Sequence, residues 1–179
     1  DINNPSIGIY SSTSGNSIIN ANKINTGDNS VGIYSKDGTV TQNGDINTGN
    51  AGTGIYASGG LVNLNNGSSI NVGSNEAVAV YAVNGAGITN NNSGITLGNK
   101  SIGFVLESGS TLTNNGSITL GDENIFVYGN GAGTVTSSNL AAISATGSNN
   151  IVFYTVNGGN VVNNSSITIL IRFNVLESI

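Results

Sequence analysis

The feature that most constrains the fold is a short phrase that returns about every 24 residues. Gly8-Ile9-Tyr10 recurs as Gly32-Ile33-Tyr34 and as Gly54-Ile55-Tyr56. Four weaker copies follow, and they begin at Ala79, Gly103, Phe126 and Val152. Successive copies start 24, 22, 25, 24, 23 and 26 residues apart, so the chain consists of seven structural repeats.

Each repeat contains three short apolar segments separated by turn residues. The first alternates apolar with small residues, as Val31 and Ile33 do, which predicts a strand with one buried face. Gly-rich turns such as Asp37-Gly38 and Gly158-Gly159 follow it. The second segment is marked in successive repeats by Ile18, Val40, Val62, Ile88, Leu112, Val135 and Val161.

The second segment leads into the third through a turn. Asn-Gly pairs at 43–44, 66–67 and 115–116 fit this place, because Asn and Gly accept the positive φ of a tight turn. An isoleucine then marks the third segment of every repeat: Ile24, Ile46, Ile70, Ile95, Ile118, Ile143 and Ile167. We expect both apolar columns to point inward.

Three strands per repeat predict an all-β chain folded as a right-handed parallel β-helix (β-solenoid), with about seven coils of about 24 residues. The right hand is expected because parallel crossovers almost always have it. A left-handed hexapeptide helix is the alternative, but its six-residue rhythm is missing. An α-solenoid is excluded, since the 27 glycines disfavour helix and no 3.6-residue period is present.

The domain boundaries follow from where the repeat holds. Residues 1–169 form the repeat domain, and Asp1-Ile2-Asn3 matches Asp45-Ile46-Asn47, which indicates a fragment of a longer solenoid. The pattern fails over 170–179, which has no glycine and holds the only arginine, Arg172. This tail is interpreted either as a cap over the open core or as residues added for expression.

Composition excludes several kinds of chemistry. The sequence has no His or Cys, which removes disulfides, zinc fingers, thiolate nucleophiles and histidine-based triads. A net charge of −5 disfavours nucleic acid as a partner. No apolar run approaches the roughly 18 residues of a membrane span. We expect no catalytic residues, no cofactor and no metal site, and therefore not an enzyme.

Aligned repeats place equivalent side chains in columns along the coil axis. One charged column reads Asp1, Lys23 and Asp45, and another reads Glu76, Lys100 and Glu123. They are interpreted as register-setting charge pairs, with a cation site as the alternative. A polar column predicts side-chain hydrogen bonds along the axis. It consists of Asn3, Asn25, Asn47, Asn71, Thr96, Thr119, Ser144 and Thr168.

All six tyrosines fall in one outward column, which we call the tyrosine column: Tyr10, Tyr34, Tyr56, Tyr81, Tyr128 and Tyr154. Val105 occupies the gap. These residues are the candidate partner-binding site, with ring packing that stiffens the sheet as the alternative role. Threonine pairs at 39/41, 111/113 and 134/136 cover too few coils to predict an ice-binding face.

Three motifs carry a resemblance to a known family. They are Ser-Val-Gly-Ile-Tyr-Ser at 30–35, Asn-Gly-Asp-Ile-Asn-Thr-Gly at 43–49 and Asn-Asn-Gly-Ser-Ile-Thr-Leu-Gly at 114–121. The sequence resembles passenger repeats of large type V autotransporter adhesins, especially fusobacterial ones. The resemblance implies a secreted virulence factor at the bacterial cell surface, anchored through an outer-membrane translocator that this sequence does not contain.

The sequence leaves two functions open. In one, the segment itself adheres to a host-cell protein or glycan, or to other bacteria. In the other, it is a structural spacer whose parent binds or catalyses elsewhere. A carbohydrate-active β-helix enzyme fragment is a third hypothesis, but the scattered carboxylates disfavour it. We expect the fragment to be monomeric and elongated.

Overall fold

The computed structural model describes residues 5–91 and 93–169, and every regular element in this part of the chain is a β-strand. Twenty-one strands follow one another, three to a coil, and all but one of the possible pairings between equivalent strands of adjacent coils form, all of them parallel. The predicted fold class, a parallel β-helix of seven coils, is confirmed. Its right hand stays a prediction, and Asp1, Asn3 and the 170–179 tail lie outside the described residues.

The strands form three faces. The first strands make one seven-stranded sheet: β1 (Ile7–Ser11), β4 (Val31–Lys36), β7 (Thr53–Ser58), β10 (Val78–Val83), β13 (Ile102–Glu107), β16 (Ile125–Asn130) and β19 (Ile151–Val156). The second strands make another: β2 (Ser17–Asn20), β5 (Thr39–Gln42), β8 (Leu61–Leu64), β11 (Gly87–Asn90), β14 (Thr111–Asn114), β17 (Thr134–Ser137) and β20 (Asn160–Asn163).

The third face is divided. Its first part contains β3 (Lys23–Asn25), β6 (Asp45–Asn47), β9 (Ser69–Val72) and β12 (Gly94–Leu97). Its second part contains β15 (Ile118–Leu120), β18 (Ala142–Ala145) and β21 (Ser166–Ile169). Six coil-to-coil steps allow eighteen pairings among the described strands, and the pairing of β12 with β15 is the one that does not form.

The core consists of the two predicted apolar columns together with the first strands. The second-strand column pairs in register from Ile18 to Val161 and is buried in coils 1 to 6. The isoleucine column pairs in register on each side of the split. Ile46 is fully buried and Ile167 is 40% exposed, so the core is closed in the middle and thins at the last described coil.

The alternation predicted for the first strand is interrupted. Val31 is only half-buried, whereas Gly32 and Ile33 are both buried. The ladder between β4 and β7 pairs residue 31 and residues 33–36 but passes over residue 32. A Cβ at Gly32 would stand 2.5 Å from the carbonyl oxygen of Gly54 and from Cγ2 of Ile46. Glycine is required here by this close approach.

The predicted role of the Asn-Gly pairs is correct at one position and wrong at two. Gly67 has a φ of 85°, but neither residue of the pairs at 43–44 and 115–116 has a positive φ. A Cβ at Gly44 would instead overlap the carbonyl oxygen of Asn22. Stacking against the preceding coil, rather than turn conformation, explains that glycine.

Candidate functional site

The first sheet places the tyrosine column on its outer face. Tyr10 pairs with Tyr34, Tyr34 with Tyr56, and Tyr56 with Tyr81, each in the same register. Tyr128 and Tyr154 continue the column beyond Val105. Tyr10 is 63% exposed and Tyr154 is 45% exposed, and the four tyrosines between them are half-buried. Alternation after the buried Ile/Val position therefore predicted the outward direction correctly.

The rings of coils 1 to 4 form one continuous stack. Tyr10 and Tyr34 have ring centroids 5.0 Å apart and planes 19° apart. Tyr34 and Tyr56 lie at 5.3 Å and 9°. Tyr56 and Tyr81 lie at 5.0 Å and 12°. Because the centroid spacing is close to the distance between paired strands, about 4.8 Å, each ring stands directly above the one before it.

The stack of tyrosine rings is interrupted at coil 5, where valine replaces tyrosine. Val105 is buried between Tyr81 and Tyr128, and the Tyr81 hydroxyl donates a 2.7 Å hydrogen bond to Oε2 of Glu107. Beyond the gap, Tyr128 and Tyr154 are tilted by 35° at 5.6 Å. Sequence reasoning missed Glu107, although its place two residues after Val105 on the same strand face was a usable signal.

Two phenols in the stack have perturbed acidity. Burial raises the pKa of Tyr81, and its hydrogen bond to the Glu107 carboxylate raises that pKa further. Burial also raises the pKa of Tyr56, with added contributions from Tyr34 and Glu107. Both hydroxyls therefore remain protonated hydrogen-bond donors well into alkaline solution.

A mixed column borders the tyrosines on the same face. It holds Lys36, Ser58, Val83, Glu107, Asn130 and Val156. The first sheet thus presents aromatic rings beside a sparsely charged polar edge. An apolar stripe with a polar margin is the usual anatomy of a surface that contacts another molecule.

The charged columns are stacked as predicted, but only one ion pair forms among the described residues. Lys100 Nζ lies 3.6 Å from Oε2 of Glu123, and both side chains are about half-exposed. Glu76 joins the column through its backbone, whose N–H donates to the Lys100 carbonyl at 2.7 Å. The three residues share left-handed φ values of 57° to 66°.

The other charged column behaves differently. Lys23 and Asp45 are paired in register, but the Asp45 carboxylate accepts a 2.7 Å hydrogen bond from the Ser69 hydroxyl. Its third member, Asp1, is outside the described residues. On this face the Asp45 carboxylate is therefore engaged by a hydroxyl of the next coil and not by the predicted Lys23 ion pair.

The predicted asparagine column does form side-chain hydrogen bonds. Asn47 donates from Nδ2 to Asn25 at 2.9 Å, and Asn71 donates to Asn47 at 2.8 Å. Sequence reasoning missed a second, buried series at the end of the second strands, in which Asn90 donates to Asn114 at 2.8 Å. The recurrence of Asn four times at this position was the available signal.

A third ladder, also missed, runs along the corner before each first strand. The Asp28 carboxylate accepts from the N–H of Asn50, and the Asn50 side chain accepts from the N–H of Ser74. The Ser74 hydroxyl accepts from Asn99, and Asp122 accepts from Ser148. Each side-chain oxygen thus satisfies a backbone donor of the next coil, which is a structural use of these polar residues.

The described residues contain no cluster of metal ligands, and the sequence has no match among known proteins. Over residues 5–91 and 93–169, no three acidic, His or Cys side chains are grouped as metal ligands. The same residues include no helix long and apolar enough to cross a membrane. The sequence matches no protein-family profile, no curated protein and no solved structure.

Proposed function

We propose that this chain is a non-catalytic repeat segment of a bacterial autotransporter passenger that acts in adhesion at the cell surface. The proposal takes the tyrosine column as the contact surface for a host-cell protein or glycan. Its parent would be held at the outer membrane by a translocator encoded elsewhere in the same gene. The β-solenoid fold and the repeat motifs at 30–35, 43–49 and 114–121 support this assignment.

One observation carries the binding role. Tyr10, Tyr34, Tyr56 and Tyr81 form an outward, unbroken stack over three coil spacings, about 15 Å. A parallel β-helix does not require aromatic residues there, and its other outward columns among the described residues carry mostly Ser, Thr and Asn, with scattered charged and aliphatic residues. Tyrosine presents a rigid ring and a hydroxyl at low entropic cost, which suits protein and sugar surfaces.

The test removes two central rings. Tyr34→Ser combined with Tyr56→Ser should abolish adhesion of the purified fragment to epithelial cells or to a glycan array, while the melting temperature falls only slightly. Tyr34→Phe with Tyr56→Phe is the matched control, because it keeps the stack and removes only the hydroxyls. Absence of binding by the unsubstituted fragment, or loss of adhesion only in step with unfolding, would overturn the binding role.

A spacer role is the second candidate, and a specific observation favours it. Seventeen strand pairings and three side-chain ladders join the described coils, which makes a stiff rod. In this case the ring stack stabilises the sheet, since each aromatic pair contributes about 0.5 to 1.5 kcal/mol. A large drop in melting temperature in the Tyr→Ser variant, together with no adhesion by the unsubstituted fragment, identifies the spacer.

The autotransporter assignment has its own test. The coding sequence on either side of this segment should encode a signal peptide upstream and a translocator barrel downstream. Sequencing the parent gene checks this. A parent with neither element would contradict the assignment, whatever the result of the adhesion assay on the tyrosine variants.

A further inference from the structure

A groove opens on the third face where β12 and β15 fail to pair. Its volume is about 550 Å³, within the roughly 300–1,000 Å³ of ligand sites. Hydroxyl groups dominate its polar lining: Thr96, Ser117, Thr119, Ser144 and Thr146. Leu97 and Ala142 add apolar surface, whereas the side chains of Ile95 and Ile118 are buried in the core. Among the described residues, none of those that line the groove carries a charge or an aromatic ring.

The split strands bring backbone groups to the same groove. The N–H of Gly94 donates to the backbone carbonyl of Ser68 at 2.9 Å, and the N–H of Gly98 donates to the backbone carbonyl of Val72 at 3.0 Å. Both N–H groups therefore face coil 3. Successive residues of a strand direct their backbone groups to opposite sides. Ile95 therefore directs its backbone N–H and C=O toward β15, the strand with which β12 does not pair.

A buried amide next to Gly121, a residue of the groove lining, is unsatisfied. Asn124 is fully buried, and its Oδ1 accepts from the N–H of Ser101 at 3.0 Å, but its Nδ2 has no partner. This Nδ2 lies 3.6 Å from the point where a Cβ on Gly121, a residue of the groove lining, would stand. The equivalent Asn150 donates to the Gly121 carbonyl at 2.6 Å. A buried donor without a partner is costly, but Asn124 does not line the groove and its amide nitrogen is inaccessible, so this cost is internal to the coil and offers no contact to a ligand.

The distance between β12 and β15 and the absence of charge in the lining restrict what the groove can bind. An additional strand between β12 and β15 needs about 9.6 Å, twice the spacing of paired strands. Cα atoms of the two strands approach within 8 Å, so an inserted peptide strand does not fit. A charged ligand finds no counter-ion in the lining. What fits is an uncharged molecule that both donates and accepts hydrogen bonds at several points and has apolar faces.

We propose that this groove binds a neutral oligosaccharide. The sugar hydroxyls form hydrogen bonds with the side chains of Thr96, Thr119 and Ser144. They also bond to the backbone groups of β12 and β15 that face each other without pairing. The C–H faces of the sugar rings pack on Leu97 and Ala142, the more exposed apolar residues of the lining. The site lies on the third face, away from the tyrosine column, and does not depend on the adhesive role proposed for it.

The first test observes the groove directly. The isotopically labelled chain is titrated with maltotriose, cellotriose and tri-N-acetylchitotriose, each followed by NMR. At least one should shift the backbone amides of 94–97 and 117–121, with saturation. No saturable shift with any of the three overturns the proposal. Groove shifts only with anionic sialyllactose, or only with a capped Thr-Val-Thr-Val-Thr-Val peptide, overturn it as well.

The second test uses a matched pair of threonines. Thr119→Val removes a groove hydroxyl with little change of shape and should weaken binding of the responding trisaccharide roughly 3- to 10-fold, the value of one hydrogen bond. Thr113→Val makes the same change at an exposed position of β14 and should leave affinity unchanged. Equal weakening by both contradicts the site. Thr96→Val replaces Thr119→Val if that variant does not fold.

A last comparison separates this site from the proposed function. Tyr34→Ser with Tyr56→Ser should leave trisaccharide affinity unchanged even where it abolishes cell adhesion. If the tyrosine variant loses the NMR shifts at 117–121 while it remains folded, the groove is not the sugar site.

Discussion

At the scale of single residues, many polar side chains of the described coils satisfy a backbone or side-chain group one coil away. The Asn25–Asn47–Asn71 series does so on the surface and the Asn90–Asn114 pair does so in the core. Charges are few, at 7% of the sequence. Neutral ladders suit a stacked fold because identical side chains repeat at strand spacing without the repulsion that identical charges would bring.

The exception is the Lys100–Glu123 pair, which a charge reversal tests. Lys100→Glu places three carboxylates in consecutive coils and should destabilise the protein by about 1 kcal/mol at low salt, less at high salt. Lys100→Gln is the control, because it removes the ion pair without adding repulsion. Urea denaturation at two salt concentrations measures both variants. A loss that does not depend on salt contradicts the stacked alignment.

The Tyr81 phenol gives a pH prediction. Its pKa is raised in the folded state, so its contribution to stability is present below the ordinary tyrosine value of about 10 and is lost as pH rises through the raised value. Ultraviolet titration of phenolate should show a late-ionising tyrosine that Tyr81→Phe removes. Glu107→Gln should lower this pKa, though burial keeps it above the ordinary value. An unchanged titration in Glu107→Gln contradicts the hydrogen bond.

At the scale of the strands, the corners of the coil are set by local geometry as much as by the apolar pattern. The corner before each first strand has a left-handed residue in six successive coils, with φ between 51° and 66°: Asn29, Ala51, Glu76, Lys100, Glu123 and Asn149. Asparagine accepts this conformation readily, whereas Ala, Lys and Glu do so at a cost. The coil closure imposed by neighbouring pairings holds the less suited residues in place.

Close packing between first strands predicts an uneven sensitivity to alanine. Gly32→Ala places a methyl group against the Gly54 carbonyl and Ile46, and should cost about 1 to 3 kcal/mol of unfolding free energy. Gly94→Ala is the matched control, since its nearest neighbours would be 3.6 and 3.8 Å away and its φ is not positive. Thermal denaturation compares them. Equal stability of the two variants would mean that the approach at Gly32 is looser than 2.5 Å.

At the scale of the whole molecule, stability depends on stacking, because a single coil cannot close a core. Side chains of the central coils, such as Ile46 and Ile70, are fully buried, whereas Ile24 and Phe153 in the first and last coils are partly exposed. Seven coils at strand spacing extend about 34 Å along the axis. The split between β12 and β15 is the one described place where a central coil is joined to its neighbour on two faces only.

Hydrogen exchange should reproduce this profile. Amides of coils 2 to 6 should be the most protected, with lower protection in coils 1 and 7. The backbone amide of Ile95 should exchange faster than that of its coil-3 equivalent Ile70, whose strand β9 is paired on both sides. Equal protection of these two amides would show that β12 and β15 pair in solution.

The sequence by itself determined the repeat, the number of coils, the three strands of each coil and the inward columns. It did so because a parallel stack requires the same residue type at the same place in every coil, and Ile46, Val40 and Tyr34 each recur with that period. The outward direction of the tyrosines followed from alternation alone. The ladders of like side chains, both the predicted one and the missed one, were also periodic and hence predictable in principle.

Only the tertiary structure decided the features that depend on how far one coil lies from the next. One such feature is the close approach of the neighbouring coil that requires glycine at position 32. Two others are the ion pair of Lys100 with Glu123 and the hydrogen bond from Tyr81 to Glu107. The split at β12 is the clearest case, since Ile95 and Ile118 obey the repeat as well as any isoleucine in the column. A periodic sequence specifies which residues align, but the distance between aligned strands results from the packing of all three faces together.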